Sequence, residues 1–101
     1  RCVLSQEELM LYMRQLRSEN PSARYCAALY LEQAADPASV PALIEVFGGD
    51  DIELMGAAAR ALGSIGAAAA AAVPTLTEAL NHDELWVGKC AEYALERIQR
   101  R

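Results

Sequence analysis

The segment Val40-Pro41-Ala42-Leu43-Ile44-Glu45-Val46-Phe47 returns 33 positions later as Val73-Pro74-Thr75-Leu76-Thr77-Glu78-Ala79-Leu80. The register continues without a gap: Asp50 falls over Asp83, and Leu54, Ala57, Ala58, Ala61, Leu62 and Ile65 fall over Val87, Cys90, Ala91, Ala94, Leu95 and Ile98. An earlier copy, offset by 31, places Ala23, Cys26, Ala27, Tyr30, Leu31 and Ala34 under the same pattern. Leu9, Tyr12 and Leu16 fall over Val40, Leu43 and Phe47 in the same way. Self-similarity at a period of 31–33 residues restricts the chain to repeat architectures. Apolar residues at i, i+3, i+4 and i+7 make each unit a helix with an apolar stripe. A single hairpin of such helices cannot bury its own apolar faces, so consecutive units must stack.

Start and stop signals divide the 101 residues into six helices. Ser5-x-x-Glu8 is a capping box that opens a helix to about Ser18. Asn20-Pro21 opens a second to Ala34, and Asp36-Pro37 a third that stops at Gly48-Gly49. Asp50-Asp51 opens a fourth that reaches Gly63–Gly66, and the alanines at 67–72 wind into a fifth that ends near Asn81. Asp83 caps a sixth, which ends in the basic run towards Arg101, where cations suit the helix C-terminus. The twenty alanines against eleven Val, Ile and Thr favour helix over strand. The expected domain is a single unit over 1–101: a half repeat at 5–18, repeats at 20–49 and 50–82, and a half repeat at 83–101. The opening Arg1 leads us to expect a piece of a longer chain.

Asp51, Leu54, Ala58-Ala59, Ala61-Leu62-Gly63, Ile65-Gly66 and Val73-Pro74-x-Leu76-x-x-Ala79-Leu80 together resemble the HEAT repeat, in the short variety named for phycobilisome lyases. The resemblance covers the whole chain and is fullest in the middle repeat. It departs at Glu32 and Ala34, where the family pattern has Gly and Ile. The Arg usual after the first apolar residue is present as Arg24, with Met55 and Gly88 in the later copies. The fold it implies is all-α, a right-handed αα-superhelix (HEAT-like solenoid) of about six antiparallel helices. The function it implies is a non-enzymatic protein–protein interaction scaffold, with part of a bilin lyase or another chromophore-handling assembly as the alternative. HEAT-like repeats also build the di-iron enzyme that hydroxylates deoxyhypusine. Its chemistry uses His-Glu pairs, and no His-Glu dipeptide occurs in this chain, so that activity does not carry over.

The formal net charge is −5, and residues 32–83 hold eight carboxylates against Arg60 alone. Nucleic-acid binding requires clustered cations, and one Lys with scattered Arg argues against it. A solvated acidic face is the simplest account of that stretch. Cys2, Cys26 and Cys90 are odd in number and widely spaced, without a C-x-x-C, and His82 is the only histidine, which argues against a zinc site and a disulfide framework. Thiols without that framework point to a reducing compartment, and the expected location is cytoplasmic. There is no run of 18 consecutive apolar residues, so no membrane span is expected.

No catalytic, cofactor or metal residues are expected. His82-Asp83-Glu84 occupies the turn that Gly49-Asp50-Asp51 occupies one repeat earlier, which favours capping over chemistry. Cys26 and Cys90 share a repeat position with Ala57 and are expected to act as small buried hydrophobes, leaving Cys2 as the plausible reactive thiol. The binding surface implied by the resemblance is the concave stripe on the second helix of each repeat, carried by Leu11, Arg14, Ala42, Glu45, Thr75 and Glu78. The first helix also carries Leu9-Met10-Leu11-Tyr12-Met13, more apolar surface than one face needs, so Leu11 and Met13 are expected to meet another protein or a second copy. Trp86 aligns with Glu53, an outward position, and is a further contact candidate, with Tyr93 beside it on the same helix.

Overall fold

The computed structural model describes residues 5–99. Among them are six α-helices: α1 (Gln6–Gln15), α2 (Pro21–Ala34), α3 (Val40–Val46), α4 (Ile52–Ile65), α5 (Val73–Ala79) and α6 (Leu85–Gln99). The long helices α2, α4 and α6 pack side by side in one layer, and each short helix packs on the long helix that follows it. The molecule measures 34 × 33 × 18 Å. Its thickness is that of two helix layers, since a helix with its side chains is about 10 Å across. The all-α stacked-repeat architecture expected from the sequence is the one observed.

The caps fall where the sequence places them. The Ser5 hydroxyl accepts the Glu8 N–H at 3.2 Å, and Glu8 accepts the Ser5 N–H at 3.1 Å. Asn20 accepts the Ser22 N–H at 2.9 Å, and Asp36 accepts that of Ala38 at 2.9 Å. Asp51 accepts the Leu54 N–H at 3.1 Å. Each cap satisfies an N–H left without an intrahelical partner. The turn before α6 differs from expectation: the helix begins at Leu85, and the imidazole Nδ1 of His82 accepts the Glu84 N–H at 3.0 Å.

The third helix was expected to open at Asp36-Pro37 and the fifth to wind out of the alanines at 67–72, with Pro41 and Pro74 in the first turn of the repeat's second helix. Each segment opens with 3₁₀ turns, Pro37–Ser39 and Gly66–Ala72, and becomes α-helical at Val40 and Val73, which leaves both prolines in the first α-helical turn. The cause is the repeated proline. In a continuous α-helix the ring of Pro41 would meet the carbonyl of Pro37, and that of Pro74 the carbonyl of Ala70, with one hydrogen bond lost each time. Even six alanines do not override that clash. The run Ile52–Ala79 is apolar enough by length and composition to cross a membrane, with a window mean hydropathy of 1.3, although no 18 consecutive residues are apolar. Half of that window is buried inside the protein, and Gly66 breaks the run at φ 79°.

The core lies between the layers. Ala27, Ala58 and Ala91, the shared small-residue position, are all fully buried, so the long helices approach closely there. Leu31, Leu43, Leu62 and Leu76 are fully buried around them. Leu95, the copy of Leu31 and Leu62 on the last helix, is only partly covered.

One expectation about packing needs correction. Cys26 is exposed, whereas Cys90 is buried like Ala57. The shared position points at the preceding long helix, and among the described residues α2 has no such helix beside it. Trp86 and Tyr93, expected as outward contact residues, are exposed and also pack in part on α4. An ideal Cβ on Gly56 would collide with the indole, 2.7 Å from its carbon Cε2, and one on Gly63 would come 3.2 Å from the Tyr93 ring.

Candidate protein-binding face

The short helices α1, α3 and α5 leave two shallow grooves between them. The first, of about 370 Å³, is walled by Met13, Arg14 and Arg17 on one side and by Ala38, Pro41, Ala42 and Glu45 on the other. The second, of about 390 Å³, runs between Ile44, Phe47 and Gly48 on one side and Thr75, Glu78, Ala79 and His82 on the other, with Met55 beneath. Both follow from local sequence. Pro41 and Pro74 shorten α3 and α5 to seven residues, and Ala42 and Thr75 on the facing edges are too small to close the gap.

The grooves bring together most of the expected contact residues. Met13, Arg14 and Glu45 wall the first, and Thr75 and Glu78 wall the second. Leu11 lies on the same layer, exposed at its outer end beside Met10. Trp86 is not part of this face. It belongs to the long-helix layer, where it lines a hollow with Tyr25 and Glu53, and a second one with Arg60, Lys89, Cys90 and Tyr93. The alignment of Trp86 with Glu53 placed it correctly on the outside, but the notch that receives it is Gly56, which the alignment did not single out.

Charge on the grooved face is mixed. Arg17 and Glu45 form an ion pair across the first groove, both largely exposed. Arg14 projects from the same wall and Glu78 from the wall of the second groove. Apolar lining comes from Met13 in the first groove and from Ile44 and Phe47 in the second, each partly buried.

The side chain the sequence undervalued is Arg24. Lacking later copies, it offered little sign of a pairing role. Its guanidinium donates to Asp51 from Nη2 at 2.9 Å and from Nε at 3.3 Å, and to the Ser18 carbonyl at 2.6 Å. One side chain therefore ties the end of α1, the body of α2 and the N-cap of α4. Burial raises the Asp51 pKa, but the Arg24 hydrogen bond, the Leu54 N–H, the Arg24 charge and the Glu53 N–H outweigh it and hold the carboxyl below its usual range. A second tie, Arg60 to Glu32 at 3.2 Å, joins α4 to α2. The Glu at position 32, a departure from the repeat pattern, is thus the acceptor of an inter-repeat ion pair. Both ties join the first two long helices, α2 and α4.

Burial pushes the Cys90 thiol up in pKa, partly offset by the charge of Arg60. That makes it a packing residue, not a nucleophile, because the thiolate is the reactive form. The expected reactive thiol, Cys2, lies outside the described residues.

Compared with known protein families, residues 10–98 fit a family model described as HEAT repeats. No curated protein matches the chain.

Proposed function

The chain belongs to the HEAT-repeat family, and on that basis we propose that it is a non-enzymatic scaffold that binds another protein along the face formed by α1, α3 and α5. HEAT repeats generally mediate protein–protein contacts. The observation that carries the reading is the pair of grooves on one face, each lined by both apolar and charged side chains. A helix or an extended segment laid across them would place apolar side chains on Met13 and Ile44–Phe47. Its polar flanks would meet Arg14, Glu45 and Glu78. Peptide recognition of this kind takes affinity from apolar anchors and specificity from the rim. Shallow, open grooves suit a macromolecular partner better than a small substrate, which would need a concave site that buries most of its surface.

Selection of a displayed peptide library on the immobilised chain tests this. Enriched peptides are expected to shift the amide resonances of α1, α3 and α5, and to lose binding in a Glu45→Arg, Glu78→Arg double variant. Resonance shifts confined to α2, α4 and α6, or no enrichment, would overturn the reading. The chromophore-handling alternative, which rests on the phycobilisome-lyase variety of the repeat pattern, makes a separate claim. It requires a visible absorbance change when phycocyanobilin is added to the chain with a candidate acceptor protein.

A further inference from the structure

Arg14, Glu45 and Glu78 hold the same repeat position on α1, α3 and α5, at offsets of 31 and 33 residues, so they form one row across the grooved face. All three are exposed. The charge along this row changes sign. Glu45 is neutralised by Arg17, whose guanidinium reaches it across the first groove. Among the described residues no carboxylate pairs with Arg14 and no cation with Glu78. Glu7, on the same side of α1 as Arg14, is two helical turns away, about 10 Å along the axis. His82 borders the second groove with its Nδ1 taken up by the Glu84 N–H. The row is therefore positive on α1, neutral over α3 and negative on α5. Between these points lie the two grooves, lined by Met13 in the first and by Ile44 and Phe47 in the second.

We propose that the occupant of this face is an extended segment of a partner protein whose inward side chains run acidic, apolar, apolar, basic from α1 to α5. This rests on the binding face proposed above and adds the charge order of what it binds. Neighbouring helices of a layer lie about 10 Å apart, so Arg14 and Glu78 stand roughly 20 Å apart across α3. An extended chain rises about 3.3 Å per residue and points alternate side chains to one side. A residue i over Arg14 then brings residue i+6 over Glu78 on the same side, with i+2 and i+4 over the two grooves. An acidic side chain at i meets the unpaired guanidinium, and a basic one at i+6 the unpaired carboxylate. Apolar side chains at i+2 and i+4 cover Met13 and the Ile44–Phe47 pair. The net charge of −5 by itself would draw a uniformly basic segment, but such a segment would meet Arg14 and Arg17 at one end. A uniformly acidic one would meet Glu78 at the other. Like-charge contact of this kind excludes wrong partners.

The test uses random peptides of about 12 residues, too short to hold a helix alone, displayed and selected on the full chain at low ionic strength. Enriched peptides are expected to share an acidic and a basic residue six positions apart, with apolar residues two and four positions in from the acidic one. A nitroxide on the acidic end of an enriched peptide, made synthetically, should broaden the amide signals around Arg14. Moved to the basic end, it should broaden those around Glu78. Arg14→Glu alone, or Glu78→Arg alone, should weaken binding about fivefold, the effect of one exposed ion pair. The double change should restore the affinity and turn the peptide round, so that the nitroxide on the acidic end now broadens α5. Both residues are exposed, so circular dichroism should show unchanged helicity in all three variants. No enrichment, or shifts confined to α2, α4 and α6, would sink the binding face and this inference together. Peptides that bind α1, α3 and α5 without the paired opposite charges, with the pair at helical spacing, or without turning round on the double variant, would overturn the charge order alone.

Discussion

Trp86 occupies the space that a side chain on Gly56 would need. A Cβ built on Gly56 would collide with the indole Nε1 and lie 2.7 Å from the nearest ring carbon, closer than real Cβ atoms come. Two turns along, Gly63 receives Tyr93 in the same way, and Arg97 lies over that ring at 5.5 Å from its centroid. The aromatic side chains of α6 are thus fitted to glycines of α4, and the last interface of the stack is built by an exchange of large for absent side chains.

Gly56→Ala should therefore expel the indole. Trp86 is the only tryptophan in the chain, so its fluorescence reports on this site alone. A red-shifted emission is expected, with a loss of about 1–3 kcal/mol in stability, the usual range for overpacking. Unchanged emission in a folded variant would show that the indole does not sit in the Gly56 notch.

The Arg24–Asp51 tie makes stability depend on acid. With its pKa lowered in the folded state, Asp51 binds fewer protons there than in the unfolded chain, over the window between the two values. Its contribution is full above the ordinary Asp value of about 3.9 and is lost as pH falls through the lowered native value. Asp51→Ala removes both the cap and the pair, and should cost about 1–3 kcal/mol at neutral pH. Chemical denaturation between neutral pH and about pH 3 should show a smaller acid-induced loss in the variant than in the native chain. Parallel losses in the two would count against the tie.

Ala35 closes α2 at φ 50° and ψ 40°, the left-handed region that costs a residue with a Cβ about 1–2 kcal/mol. The matching position one repeat on is Gly66, also at positive φ. Ala35→Gly should raise stability by roughly 0.5–1 kcal/mol, the relief of strain exceeding the extra entropy glycine brings to the unfolded chain. A lower melting temperature in that variant would contradict the assigned backbone conformation.

Leu62 is fully buried in the middle long helix, with packed neighbours on both sides. Leu62→Ala should cost about 2–5 kcal/mol by urea denaturation. Leu95→Ala, at the same repeat position but only partly covered, should cost less. Equal losses would mean that Leu95 is packed as fully as Leu62 in solution.

Much of this was legible in the chain. The 33-residue offset of Val40-Pro41 and Val73-Pro74 identified the repeat. The residues at its i, i+3, i+4 and i+7 positions marked Leu31, Leu62, Ala58 and Ala91 as core. Ser5, Asn20, Asp36 and Asp51 were recognisable as caps, because an N-cap depends on a residue and its next three neighbours. The 3₁₀ openings of the third and fifth helices were missed, although their signal was present, since a proline acts on the carbonyl four residues before it. Cys26 was misplaced because repeat alignment assigns equal environments to equivalent positions, and among the described residues α2 has no preceding long helix to make them equal.

The sequence by itself thus determined the elements and the repeat, since periodicity, capping and proline chemistry all act within a few residues. The tertiary structure alone decided the rest: which aromatic meets which glycine, that Arg24 reaches Asp51 and the Ser18 carbonyl together, and that Arg14, Glu45 and Glu78 share one grooved face while Trp86 lies on the other layer. Those relations depend on the register between helices separated by about thirty residues. No local preference encodes that register; it follows from close packing of the whole stack.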